Sequence, residues 1–117
     1  MNWLLPDLTT AQLAAHLATC HRVAARGDMR KIAFARCYDE PKPRPTEGEH
    51  LYVRCDGTVI GYHYVIGTNR HYNSVQTFDH WQILCKPEFH RLDSCHPAPA
   101  VRGLIVYNPP SAPPVRP

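Results

Sequence analysis

Five residues with metal-ligand chemistry crowd the stretch HWQILCKPEFHRLDSCH: His80, Cys85, His90, Cys95 and His96, the first four at every fifth position. A structural zinc site takes four thiolate or imidazole donors in a tetrahedron, usually supplied as close pairs. His80 and Cys85 do not suit that arrangement. Val75, Thr77, Trp81, Ile83 and Cys85 alternate as in a strand, so His80 and Cys85 face opposite sides and lie about 17 Å apart.

The run Cys85, His90, Cys95 reads C-x4-H-x4-C and resembles the second half of a retroviral-type zinc knuckle. The resemblance implies a Cys at position 82 and a Gly before the His. The chain has Gln82 and Phe89 there. The expectation is therefore that no cofactor is held, with Cys85, His90, Cys95 and His96 as the ligand set if zinc is bound.

Catalysis by a Cys nucleophile needs a stabilised thiolate beside a His. Cys20-His21 and Cys95-His96 are adjacent, but sequence neighbours point in different directions, and Cys20 lies on an apolar helix stripe. A better-defined set comes from HLYVRC, Asp56-Gly57 and TVIGYHYVI, where Asp-Gly between alternating runs signals a type I′ hairpin. A regular register pairs Cys55 with Thr58, Arg54 with Val59, Tyr52 with Gly61 and His50 with His63. Leu51, Val53, Cys55, Ile60, Tyr62 and Tyr64 then form a core face. His50, Tyr52, Arg54, Val59 and His63 form a solvated one. On that face His50 and His63 could act as base and acid in RNA cleavage with Arg54 on the phosphate, or the set could hold phosphates and stack bases.

The elements that would position these residues are legible. Thr9 suits an N-cap with Gln12 completing a capping box, Leu8 and Leu13 make a hydrophobic staple, and Leu13, Leu17, Cys20 and Ala24 form an apolar stripe. A helix over about 10–26 follows, with Arg22 and Arg26 near its C-terminal dipole and Gly27 as its stop. KIAFARCY alternates as a strand, and Pro41, Pro43 and Pro45 stiffen the following loop. GTNRHYNS is expected to be loop, VQTFDHWQILCK strand, KPEFHRLDSCHPAPA loop or a single turn, and AVRGLIVYN a last strand. The fold class predicted is α+β: one N-terminal helix packed on a mostly antiparallel sheet of about five strands, with a central hairpin. Residues 1–108 are expected to form a single domain and 109–117 a Pro-rich tail.

The 117 residues carry a formal charge of +3 with His neutral, which is too weak to imply nucleic acid by itself. Five Cys cannot all pair internally, no apolar span is long enough to cross a membrane, and the N-terminal stretch has no Lys or Arg before Arg22. These features point to reduced thiols in a cytoplasm. No nucleotide fingerprint or paired-carboxylate motif is present. The function expected is a small non-enzymatic binding or regulatory protein, an inhibitor or adaptor, docking on a larger protein or nucleoprotein. Tyr52, Arg54, His50, His63, Tyr72, Trp81, Arg22 and Arg26 are the expected contacts, Tyr and Arg being frequent interface anchors. The alternatives are a nucleic-acid-binding module using the hairpin face, and a small ribonuclease using His50, His63 and Arg54.

Overall fold

Strands hold the larger part of the described residues. The computed structural model describes residues 2–5, 7–26, 32–37, 44–97 and 105–107. In chain order the elements are β1 (Asn2–Leu4), α1 (Thr10–Ala25), β2 (Ile32–Cys37), β3 (His50–Cys55), β4 (Thr58–Tyr72), β5 (Phe78–Cys85), β6 (His90–Pro97) and β7 (Ile105–Val106). The strands order as β2-β5-β4-β3-β1-β7, with β6 also pairing β4. Among the described strands all pairings are antiparallel except β1 with β3, beyond which Leu8 bridges Cys55 in the same parallel sense. The protein is thus α+β, with one helix among the described residues, a mostly antiparallel sheet and the central hairpin.

Three segments depart from expectation. β1 is too short to show periodicity, although Trp3 and Leu4 are buried. The polar run GTNRHYNS extends β4 as far as Tyr72, because backbone pairing with β5 holds it where side chains meet solvent on a two-sided ribbon. KPEFHRLDSCHPAPA is not simply loop: β5 and β6 follow one another along β4, interrupted only by residues 86–89. The Gly27 stop, most of the Pro-rich loop and the 109–117 tail lie outside the described residues.

The helix start forms as its sequence dictates. Thr9 Oγ1 accepts the Gln12 N–H at 3.1 Å, and Gln12 Oε1 accepts the Thr9 N–H at 2.9 Å. Leu8 and Leu13 pack on the core cluster of Trp3, Leu5, Leu51, Val53, Val65, Ile83 and Cys85. The Asp56-Gly57 turn, with φ of 48° and 81°, anchors this start. Thr10 donates to Asp56 at 2.8 Å, and the Gly57 N–H donates to Asp7 at 3.1 Å. Helix and β4 therefore leave the same point. At 1.5 Å per helical residue and about 3.3 Å per strand residue, His16 and Cys20 travel about 9–15 Å from Thr10, close to the roughly 17 Å from Thr58 to His63.

The hairpin register differs from the regular one by one residue. Cys55 pairs with Thr58 and Arg54 with Val59 as expected, but Val53 then pairs with Gly61, skipping Ile60. Beyond this bulge Tyr52 pairs with Tyr62, Leu51 with His63 and His50 with Tyr64. A one-residue slip exchanges the faces. His63 turns under the helix, while Tyr62 and Tyr64 join His50 on the other side. Gly61 shows what the bulge accommodates: a Cβ there would meet the Phe89 ring and the His90 carbonyl. Gly61→Ala should therefore cost about 2 kcal/mol or more by overpacking, a fall of roughly 5–10 °C in Tm. Thermal unfolding followed by circular dichroism measures this; an unchanged Tm would contradict the close approach.

Candidate functional site

Under the helix, three donor atoms converge. His16 and Cys20 stand at i and i+4, one above the other on the inward face of α1, and His63 rises from β4 below them. His16 Nε2 lies 3.1 Å from His63 Nε2 and 3.1 Å from Cys20 Sγ, and Cys20 Sγ lies 4.0 Å from His63 Nε2. The rings of His16 and His63 meet edge to face at 5.2 Å. His63 is fully buried, Cys20 is buried and His16 half-buried. His63 Nδ1 sits 3.0 Å from the Lys86 carbonyl, an acceptor only, so Nδ1 carries the proton. In neutral His63 this leaves Nε2 as a lone pair facing His16 and Cys20. The Phe89 ring, 5.3 Å away, closes the far side.

Burial pulls His63 down to about 4, with His16 adding to the effect, and lowers His16 too. It pushes the Cys20 thiol up to about 11. A thiol so raised is a poor nucleophile. The cluster has the make-up of a cation site: two imidazoles and a thiol, with the second imidazole held in its metal-binding tautomer by a backbone carbonyl.

The opposite face is not the solvated surface expected. Tyr52, Arg54, Val59 and Tyr62 are buried there, and Leu4 and Tyr107 cluster with Tyr52, Val59 and Tyr62. Tyr52, with no hydrogen bond to its hydroxyl, is pushed up to about 12 by burial and then by neighbouring tyrosines. Arg54 Nε lies 3.8 Å from Asp7. His50 does not meet His63. It contacts Tyr62 and Tyr64 at 4.6 and 4.9 Å, and the His90 ring stacks on Tyr62 at 5.1 Å. The proposed base–acid pair His50 and His63 is thus split across the sheet by the Ile60 bulge, and Tyr52 and Arg54 offer little surface to a base or phosphate.

Of the other expected contacts, Tyr72 is exposed, Arg22 and Arg26 are exposed at the helix end, and Trp81 is buried. The Arg44 and Arg70 guanidiniums lie 4.7 and 5.0 Å from the Trp81 ring centroid, covering a ring on a strand flanked by β2 and β4. The zinc set separates as well. Cys85 is buried in the core on the helix side, His90 and His96 join the tyrosine face, and Cys95 is exposed. A second trio, His71, Asp79 and His80, lies on the β4–β5 hairpin, with the two imidazoles stacked at 4.7 Å and Asp79 Oδ2 2.8 Å from His80 Nδ1.

His16 lies outside the residues that the sequence patterns single out, and the apolar stripe marks Cys20 as core. The usable signal was His-x3-Cys on a well-capped helix, which puts both side chains on one face. Their meeting with His63 depends on the bulge, which no local pattern announced. No family model, curated protein or solved structure matches the chain.

Stability should respond to pH through this cluster. The folded value of His63 lies below the unfolded value of about 6.5, so the unfolded chain takes up the proton first as pH falls. The contribution is complete above about pH 6.5 and is lost on descending towards about 4. With EDTA present, the urea midpoint should drop between pH 7.5 and pH 5, by about 1–2 kcal/mol in stability. His63→Gln should flatten that dependence. Equal slopes in the two proteins would contradict a buried neutral imidazole.

Proposed function

We propose that this is a small non-enzymatic binding protein that docks on a larger protein partner through the tip of the β4–β5 hairpin. The observation carrying this reading is a rigid turn that displays apolar side chains. Tyr72, Val75 and Phe78 are 46%, 76% and 40% exposed, the exposed large hydrophobic residues among those described. Burying side chains of this kind at an interface is favourable, and the local backbone limits the ordering cost. Asn73 Oδ1 accepts the Val75 and Thr77 N–H groups at 3.1 and 3.0 Å, and two backbone bonds of 3.0 Å close the turn. Gln76 takes the left-handed conformation the turn needs, with φ of 62°.

Below the tip an aromatic series leads into the fold. The Tyr72 and Phe78 rings lie 6.4 Å apart, Phe78 and Trp81 6.0 Å apart, and Arg70 stacks on Trp81. The partner surface that complements this arrangement is an apolar pocket with carboxylates at its rim. A folded protein is favoured over a nucleic acid because Val75, the most exposed of the three side chains, offers neither charge nor ring. Burial of Tyr52 and Arg54 also weakens the hairpin-face alternative.

The test is capture from an extract of the native host by immobilised chain, compared with the double variant Val75→Asp/Phe78→Ser. Both substitutions are at exposed positions and should leave the circular dichroism spectrum unchanged. The variant should lose the captured protein, and a photo-crosslinker at position 75 should join to that same protein. Equal capture by both, or capture abolished by nuclease, would overturn the reading.

A further inference from the structure

We propose that His16, Cys20 and His63 bind one zinc ion, which clamps helix α1 to the sheet. The site is on a different part of the chain from the hairpin tip and does not depend on the docking reading.

Three observations converge on it. The first is spacing. Ligands about 2.0 Å (nitrogen) and 2.3 Å (sulfur) from a tetrahedral ion stand about 3.3–3.6 Å from one another. The three donors here are separated by 3.1, 3.1 and 4.0 Å, so they form one face of such a tetrahedron with only small adjustments. The second is tautomer. His63 donates Nδ1–H to the Lys86 carbonyl, the arrangement that orients a ligating imidazole and raises its basicity. Gly61 and Phe89 support that geometry, since the ring beside His63 occupies the space a Cβ at Gly61 would fill.

The third concerns the helix itself. Its inward positions are Leu13, His16, Leu17, Cys20 and Val23, and among its residues only Cys20 is buried. The helix thus places an imidazole and a thiol where a packed helix normally carries apolar residues. Coordination would supply a strong link at that point. Imidazole and thiolate together suit zinc among the common divalent ions. Binding releases the Cys20 thiol proton to solvent and uses the two imidazoles in their neutral form. Three protein donors leave a fourth position for a further ligand.

The experiment uses the full chain, freed of metal with EDTA and titrated with zinc or with cobalt as a spectroscopic substitute. One equivalent of cobalt should produce a thiolate-to-metal charge-transfer band with the intense visible absorption of tetrahedral geometry. Zinc should displace it and raise Tm by about 5–10 °C at saturating concentration. Cys20→Ser should remove the charge-transfer band, and His63→Gln and His16→Gln should each weaken zinc binding at least tenfold. His80→Gln, in the hairpin trio, should change nothing. Circular dichroism of the metal-free variants shows whether each is folded. The band measured on the unaltered chain tests thiolate coordination even if a variant is not folded. Absence of that band, zinc binding far below one per chain, or loss of binding in His80→Gln with retention in Cys20→Ser would overturn the proposal.

Discussion

The arrangement of this protein depends on one backbone irregularity, the extra residue Ile60 in the β3–β4 pairing. Side chains alternate between the faces of a strand, so a single inserted residue reverses everything beyond it. Before the bulge, the turn at Asp56-Gly57 sets Arg54 opposite Val59. After it, His63 lies opposite Leu51 beneath the helix, and Tyr64 lies opposite His50 on the other side. A regular hairpin would have put His63 on the tyrosine face and Tyr62 and Tyr64 beneath the helix. The bulge separates histidines that a regular register would bring together and unites His63 with His16 and Cys20, 47 and 43 positions earlier.

The surrounding elements make sense as supports for that geometry. Asp7, Thr10, Asp56 and Gly57 tie the helix start to the hairpin turn, so the helix and β4 run outward from a shared origin. Residues 86–89 interrupt the edge formed by β5 and β6, and this interruption presents the Lys86 carbonyl and the Phe89 ring to His63. Gly61 allows the close approach. On the far face, tyrosine rings from β3, β4 and the residue after β7 fill the space left by the reversal. The hairpin tip is remote from these constraints, and its order comes from its own Asn73-centred hydrogen bonds.

Features governed by neighbouring residues were legible in the sequence. The capping box and the Asp-Gly turn rest on short-range chemistry, and both are present, as is the α+β class. The exposure of Tyr72 was legible because it falls in a polar run. Features governed by tertiary pairing were not. Strand β6 carries charged and polar residues and forms because β4 offers an edge; no periodicity marks it. Two arginines from separate segments lie over Trp81, and a short N-terminal strand and Tyr107 pack on Tyr52. The His16-x3-Cys20 pair was visible as a spacing, but its third member became identifiable only with the register.

The register is therefore the claim on which the account stands. Nuclear Overhauser spectroscopy of the labelled chain measures it directly through cross-strand backbone contacts. Contacts linking Leu51 with His63 and His50 with Tyr64, with Ile60 unpaired, are the result predicted. Contacts linking His50 with His63 and Tyr52 with Gly61 would mean a regular hairpin, and would remove His63 from beneath the helix.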